Sequence, residues 1–226
     1  MLSELLSIIY PSQCYGCARE IRASENQICL HCLHGLCDFE ANHDEPVVFQ
    51  LFWGKSNINY ATSCYSFIKG EPLQNLIHEF KYKGNKKLAH EFGTQMGKFI
   101  LSNSEFQDVD ALSYVPTSKK KKRKRGYNQA RELCKGVSLV CRLPIVPLVS
   151  RINKIHSQTS KKVHDRHKQL ENSFYVDHKH SLSKIKHVLL IDDVITTGAT
   201  LSICSNIIIK EFNLKVSVLA LAYRDI

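Results

Sequence analysis

Short apolar runs alternate along this chain with segments whose apolar residues recur every three or four positions. Continuous runs suit buried strands, and the three-to-four spacing suits amphipathic helices. We predict strands at 60–68, 110–115, 145–149, 186–191 and 216–222, and helices at 72–82, 87–102, 127–140 and 201–212. Because alternating strands and helices pair in parallel through right-handed crossovers, the pattern predicts an α/β fold with an open, mostly parallel, Rossmann-like sheet.

One of these strands leads directly into a group of chemically informative residues. Four apolar residues, Val188 to Ile191, lack polar alternation, as in a strand covered on both faces. Two acids, Asp192 and Asp193, follow at its carboxyl end, where open α/β sheets bind ligands. Five small or hydroxylated residues come next: Thr196, Thr197, Gly198, Ala199 and Thr200.

The order of these residues predicts a site for a phosphorylated sugar. A helix starting near Gly198 would direct its positive end at a phosphate. Asp192 and Asp193 would repel that phosphate, so we expect them to bind sugar hydroxyls and a divalent metal that shares the ligand's oxygens. The alternative is a strand that ends in a helix-capping aspartate and ordinary turn residues.

The chain has 226 residues, of which 43% are hydrophobic. That is enough for one α/β core and a small satellite domain. No signal-like start and no apolar run long enough for a membrane span is present, so we expect a soluble, cytoplasmic protein. In that reducing compartment, disulfides are not expected among the nine cysteines: four are expected to bind metal, and Cys64, Cys134, Cys141 and Cys204 are expected to be core residues.

Four of the cysteines form two C-x-x-C pairs separated by eleven residues: Cys14, Cys17, Cys29 and Cys32. This spacing predicts a tetrahedral Zn²⁺ site, and four thiolates leave no open position, so the zinc would be structural. Nearby His31, His34 and Cys37 are competing ligands. The other interpretations are buried hydrophobic cysteines and a redox pair.

The net charge of +10 is concentrated at one place, because seven cations stand in unbroken succession from Lys119 to Arg125. This basic run leaves a strand and enters a helix, so it should share the sheet edge of the acidic pair. We predict a loop that meets a pyrophosphate group, with Arg123 and Arg125 as the strongest candidates. The alternative is a solvated run of charge.

These patterns divide the chain into three parts. Residues 1–40 are expected to form an N-terminal helix and the zinc-finger module, with Leu2, Leu5, Leu6 and Ile9 on one helical face. Residues 41–59 are poorly periodic and are predicted to be a linker. Residues 60–226 are predicted to form the α/β domain.

The stretch from Val188 to Thr200 resembles the binding motif for 5-phosphoribosyl-1-pyrophosphate (PRPP) in type I phosphoribosyltransferases. The resemblance implies that Asp192 and Asp193 meet the ribose 2′ and 3′ hydroxyls and that residues 196–200 wrap the 5′-phosphate. Mg²⁺ would bridge to the pyrophosphate. Pro116, Thr117 and Ser118 complete the predicted PRPP contacts, and Asp192, Asp193, Arg123 and Arg125 are the predicted catalytic residues.

Over its whole length the chain resembles the ComF (competence protein F) family, which joins a cysteine-rich finger to a phosphoribosyltransferase domain. Four matching elements occur in order: 80–84, 123–129, Arg151 with Gln158, Thr159 and Arg166, and 192–200. The resemblance implies a role in DNA uptake during natural transformation. The chain departs from the family at Ser118 and Lys119, where a His and a Pro often stand.

Two functions remain open from the sequence. The first is a PRPP-binding protein with Mg²⁺-dependent phosphoribosyl transfer to an unidentified acceptor, working with proteins of the competence machinery. The second is a single-stranded DNA-binding adaptor in which the finger and the basic run grip DNA and the PRPP site is regulatory or vestigial. Tyr127 and Tyr15 are the aromatic residues that border those two segments.

Overall fold

A computed structural model describes residues 12–21, 27–36, 47–152, 173–176 and 182–225 of the chain. The predicted N-terminal helix, Cys37, Gln158, Thr159 and Arg166 lie outside the described residues. No helix in the described segments is both long enough and apolar enough to cross a bilayer.

Four strands form one parallel sheet in the order β1-β6-β5-β2. They are β1 (Tyr60–Ser66), β2 (Ala111–Tyr114), β5 (His187–Ile195) and β6 (Lys215–Tyr223). Two short strands, β3 (Val149–Arg151) and β4 (Phe174–Val176), pair in antiparallel fashion as a separate ribbon. The predicted fold class, an open and mostly parallel α/β sheet, is confirmed.

The helices of the described residues are α1 (Leu30–His34), α2 (Val47–Gln50), α3 (Pro72–Tyr82), α4 (Lys86–Ser102), α5 (Lys119–Arg125), α6 (Gln129–Cys141) and α7 (Ala199–Phe212). A 3₁₀ turn covers Ser104–Phe106. The helices predicted at 72–82, 87–102, 127–140 and 201–212 are therefore present within two residues of the expected bounds. The predicted strand at 145–149 is displaced: Ile145 makes one bridge to Leu112, and the regular strand begins at Val149.

Both faces of the sheet are buried, because alternate side chains of β5 enter two separate apolar clusters. Leu189 and Ile191 pack with residues of α3, α4 and α6 on one face. Val188 and Leu190 pack with α7 and with the segment 48–58 on the other. An apolar strand without polar alternation is expected in such a layer.

The segment predicted as a linker, 41–59, is packed against the sheet where it is described. Val48, Phe52 and Ile58 are buried in the α7-side cluster, and the amide of Asn59 donates to the carbonyl of Val216. The predicted division into 1–40, 41–59 and 60–226 stays a prediction, but residues 47–59 are structured. Apolar residues stand at six of the seven positions 47–53, so the sequence there shows no amphipathic period.

Helices α4 and α6 approach each other closely at two glycines. A Cβ added to Gly136 would lie 2.2 Å from the carbonyl oxygen of His90, and one added to Gly93 would lie 2.2 Å from that of Leu133. No side chain fits at either position. The two backbones therefore touch directly, and this contact fixes where α6 begins relative to the sheet edge.

Candidate functional site

Asp192 and Asp193 lie inside β5 rather than after it, because the strand continues to Ile195. Asp192 is opposite Ala220 of β6, and Val194 is opposite Ala222. Successive side chains of a strand point to opposite faces. Asp193 therefore shares the face of Leu189 and Ile191, which is covered by α3, whereas Asp192 shares the face covered by α7.

Asp193 forms an ion pair with Lys81, from the last turn of α3. Lys81 Nζ lies 2.9 Å from Asp193 Oδ1, and the two side chains are 15% and 14% exposed. A pair so well shielded from water is less screened than a surface pair. Lys81, which belongs to the matching element 80–84, is thus a direct partner of the acidic pair.

Asp192 is in a different electrostatic situation. Burial, together with the negative charge of Asp193, raises the pKa of the Asp192 carboxyl from 3.8 to about 7. The Asp193 amide donates to Asp192 Oδ1 at 2.8 Å, and Lys81 and Lys121 act in the opposite direction by favouring the ionised form. The Asp192 carboxyl therefore lies near the edge of ionisation at neutral pH, with cations close by.

A cleft of about 210 Å³ opens beside the acidic pair at the carboxyl edge of the sheet. Four cationic side chains line it from two helices and one strand: Lys81 of α3, Lys121 and Arg125 of α5, and Arg151 of β3. Pro116, Thr117, Asn128, Gln129 and Thr200 complete the polar lining. The cleft holds twice as many cations as carboxylates.

The basic run is a helix and not the predicted loop. Ser118 caps its first turn by accepting from the amide of Lys121, and Gly126 ends it in the left-handed conformation. Helical spacing places Lys121 and Arg125 on one face, toward the acidic pair. Lys119 and Lys122 line a neighbouring cleft on the other side of α5.

The helical phase separates the two arginines that the sequence favoured equally. Arg125 lines the cleft, and its guanidinium donates to Gln129 Oε1 at 3.2 Å. Arg123 is exposed and is not among the residues that line either cleft. Ser118 acts as the cap of α5, while Pro116 and Thr117 lie at the cleft.

The loop after β5 turns sharply at Gly198, whose φ of +69° favours glycine, and α7 begins at Ala199. Thr200 reaches the acidic cleft. Thr196 and Thr197 are exposed, and the Thr197 hydroxyl accepts from the amide of Ala199 at 3.5 Å. The start of α7 thus presents backbone amides at the same sheet edge as the two acids.

The four predicted cysteine ligands come together near the N-terminus. The sulfur atoms of Cys14, Cys17, Cys29 and Cys32 all lie within 4.8 Å of one another, and no other such group of His, Cys, Asp or Glu occurs in the described segments. Four sulfurs at this spacing can hold a metal ion such as zinc. His31 and His34 are exposed and do not join the cluster.

The backbone around these cysteines donates several hydrogen bonds to their sulfur atoms. The amides of Gly16 and Cys29 donate to Cys14 Sγ at 3.4 and 3.3 Å, and that of Cys32 donates to Cys29 Sγ at 3.3 Å. A hydrogen bond from the Arg19 side chain lowers the pKa of the Cys17 thiol to about 6. The donor set and its hydrogen bonds therefore fit a metal ion.

Comparisons with known proteins find curated relatives along most of this chain. No family model matches the chain. It is 26% identical over 201 residues to competence protein F of Haemophilus influenzae, covering 87% of this chain and 84% of that protein. It is 23% identical over 204 residues to competence protein ComFC of Bacillus subtilis, covering 88% and 78%. The resemblance to the ComF proteins is confirmed.

A further relative of this ComF-like chain is the DNA utilization protein YhgH of Escherichia coli, 26% identical over 145 residues and 62% of each chain. Solved structures with some likeness include adenine phosphoribosyltransferases. That of Trypanosoma brucei is 12% identical over 69% of this chain and 82% of its own, with a TM-score of 0.38. Because this TM-score is low, the fold is assigned from the observed strand order and not from these structures.

Proposed function

We propose that this chain binds PRPP in the cleft beside Asp192 and Asp193. The observation that supports this most strongly is the convergence of cations from α3, α5 and β3 on two acids at the carboxyl edge of a parallel sheet. Open α/β sheets bind ligands at that edge. With both acids ionised the cleft still carries two excess positive charges, which suits a ligand with several phosphate groups.

Each part of PRPP has a suitable partner in this proposal. The carboxylates of Asp192 and Asp193 accept hydrogen bonds from the ribose hydroxyls. The amides at the start of α7, from Thr197 to Thr200, bind the 5′-phosphate, since a helix N-terminus attracts anions. Lys121, Arg125 and Arg151 bind the pyrophosphate.

Transfer would break the bond from ribose C1′ to the pyrophosphate oxygen, which keeps the electron pair, and would form a bond from C1′ to a nucleophilic acceptor that loses a proton. The cations of α5 and β3 stabilise the charge that develops on the leaving group. Mg²⁺ supplies further charge neutralisation when it is bound with PRPP. Asp192 and Asp193 orient the ribose and favour the positive charge that develops on the sugar.

The biological setting that we propose is DNA uptake. Two relatives that match most of this chain are named competence proteins, and a third is named a DNA utilization protein. Deleting the gene should then lower the number of transformants obtained with a marked DNA fragment. An Asp192→Asn, Asp193→Asn double variant should fail to restore that number if the PRPP site serves the role.

We further propose that the cysteine cluster holds one structural Zn²⁺. Closed Cys₄ sites contribute to folding and leave no position for substrate. Elemental analysis of the purified protein should give one zinc per chain, and Cys14→Ser should lower both the zinc content and the melting temperature.

The decisive test of PRPP binding is calorimetric titration of the metal-loaded protein with Mg²⁺ and PRPP. We expect saturable binding in the wild type and in Arg123→Gln, whose side chain lies away from the cleft, and loss of binding in Asp192→Asn, Asp193→Asn. Release of pyrophosphate with a panel of bases then tests transfer. Equal binding by the parent and by the double aspartate variant would contradict the proposed site.

A second candidate function, single-stranded DNA binding, is favoured by one observation. The exposed ring of Tyr82 lies beside two cations of α5, with Arg125 Cζ 5.2 Å and Lys124 Nζ 5.8 Å from its centroid. An aromatic ring flanked by cations is a stacking surface for bases. DNA affinity that falls steeply with salt and is lost in Tyr82→Ala would support this function.

A further inference from the structure

Helix α3 connects the two regions of the molecule that carry chemistry. Its first turn, at Pro72 and Asn75, contacts the cysteine cluster, and its last turn carries Lys81 into the acidic cleft. One continuous helix of eleven residues therefore joins the cysteine module, residues 12–21 and 27–36, to the proposed PRPP site.

The contact at the module end is close and specific. Asn75 Nδ2 donates to the carbonyl oxygen of Gly16 at 2.8 Å. A Cβ on Gly16 would meet Cys32 Sγ at 3.1 Å and Pro72 Cβ at 3.2 Å, so the backbone of the module lies directly against the helix. The four buried apolar residues of α3 share one cluster with Cys14, Cys29 and Cys32: Leu73, Leu76, Ile77 and Phe80.

The contact at the cleft end is fixed from two sides. Lys81 pairs with Asp193 at 2.9 Å, and the neighbouring carbonyl of Phe80 accepts a hydrogen bond from the buried hydroxyl of Tyr127. Tyr127 follows directly after α5 and its cap Gly126. The end of α3 thus touches both the acidic pair and the segment that carries Arg125.

From this arrangement we infer that Lys81 is a positioning residue for Asp193 and that the cysteine module sets its place through α3. The ammonium group holds Asp193 in the orientation that receives the ribose hydroxyls. Displacement of the module would move α3 and loosen the ion pair, so the state of the module would change the affinity of the cleft. This inference rests on the proposed PRPP site and adds a regulatory connection to it.

Two features make the coupling physically reasonable. A helix transmits displacement along its axis because every residue is fixed by backbone hydrogen bonds. The pair that it carries is sensitive to small movements, because Lys81 and Asp193 are largely shielded from water and a separated pair would leave each charge without its partner. A displacement at the module is therefore felt as a change in the orientation of Asp193.

The first experiment measures the dissociation constant for PRPP with Mg²⁺ in four metal-loaded proteins: wild type, Lys81→Gln, Lys81→Arg and Lys83→Gln. Lys83 is a matched control two residues away, exposed and paired with Glu79 outside the cleft. We expect Lys81→Gln to weaken binding about tenfold, Lys81→Arg to restore most of it, and Lys83→Gln to have no effect. Equal binding by Lys81→Gln and Lys83→Gln would overturn the inference.

The second experiment tests the connection to the module with Asn75→Ala, which removes the hydrogen bond to Gly16 without breaking the cluster. Gln74→Ala is its control, since Gln74 contacts Gly70 and not the module. We expect Asn75→Ala to weaken PRPP binding about fivefold in the wild type and not at all in Lys81→Gln. Equal weakening in both backgrounds would overturn the connection.

A third measurement separates failure of this inference from failure of the proposed function. If the wild type binds no PRPP, the proposed function is wrong, and the connection is then read from unfolding alone. The coupling free energy between Lys81 and Asp193, from Lys81→Gln, Asp193→Asn and their combination, should be smaller in the Asn75→Ala background. An unchanged coupling would reject the role of the module.

Discussion

Two aspartates near opposite ends of strand β5 are in opposite electrostatic situations: Asp110, which precedes the neighbouring strand β2, and Asp192, within β5 itself. At the amino end, Asp110 Oδ2 accepts hydrogen bonds from the amides of Lys186 and His187 at 2.8 and 3.0 Å. The bond from Lys186 holds the pKa of this carboxyl below its usual value. At the carboxyl end, burial raises the pKa of Asp192 to about 7.

The difference separates a structural carboxylate from one that is suited to a ligand. Asp110 is stabilised in its ionised form by groups of the fold itself. Asp192 is half-buried beside a second acid, and its stabilising cations come from side chains around an open cleft. A carboxylate kept in an unfavourable place is a sign of function, because a stable fold would otherwise neutralise or expose it.

The largest expected effect comes from removing the charges at the carboxyl end. Asp192→Asn combined with Asp193→Asn should lower PRPP affinity by about a hundredfold, on the scale of a few charged hydrogen bonds. The free energy of unfolding should fall only modestly, because Asp193→Asn leaves Lys81 without its shielded partner while Asp192→Asn removes a like-charge repulsion. Calorimetry and denaturant unfolding measure the two quantities. A large loss of stability with unchanged PRPP affinity would show that these two acids, like Asp110, serve the fold and not a ligand.

At this end, stability and PRPP affinity should depend on pH in opposite directions. Because the pKa of Asp192 is raised on folding, the folded state binds more protons than the unfolded state between about pH 4 and 7, and stability falls as pH rises through that range. PRPP needs the ionised carboxylate, so its affinity should rise by about tenfold between about pH 6 and 8. The phosphate groups of PRPP can also ionise, and the same titrations of Asp192→Asn correct for them. This variant should lose the part of the pH dependence that comes from Asp192.

At the amino end, Asp110→Asn should have the reverse result. It replaces a carboxylate that accepts from two amides, and the free energy of unfolding should fall by about 1–2 kcal/mol. PRPP affinity should not change, since Asp110 lies at the far end of β5. Urea unfolding at neutral pH measures the loss, and the difference from wild type should shrink as the pH falls and Asp110 of the wild type becomes protonated.

The smallest expected effect tests which cations of α5 contribute to PRPP binding. Lys121→Gln should weaken PRPP binding about fivefold, because Lys121 lines the cleft, while Arg123→Gln should change it less than about twofold. Both variants remove one charge from the same helix, so a general effect of net charge would give equal changes. Titrations at two salt concentrations measure the contrast.

The cysteine cluster could be predicted from the sequence because its information is local. Two C-x-x-C pairs place their sulfurs through the geometry of short turns, and the structure brings Cys14, Cys17, Cys29 and Cys32 together as expected. The apolar strand at 188–191 was equally readable, since burial on both faces leaves an uninterrupted run. The parallel sheet followed from the alternation of elements.

Only some of the cations of the cleft could be predicted from the sequence. Lys81 stands far from Asp193 along the chain, and no local pattern reports the approach of α3 to β5. For the basic run, a signal was present: Ser118 is a good helix cap and Gly126 a good helix end, and together they mark a helix rather than a loop. That helix would have put Lys121 and Arg125 on one face and Arg123 on another.

The glycine contact between α4 and α6 limits how the molecule can move. Two backbones that meet at Gly93 and Gly136 leave no side chains between them that could repack to allow sliding, so α4 and α6 are expected to move as one unit. Asn128 and Gln129, at the start of α6, lie on one side of the cleft. If the cleft closes around the proposed ligand, that movement is therefore expected from Lys121 and Arg125 of α5 and not from α4 or α6.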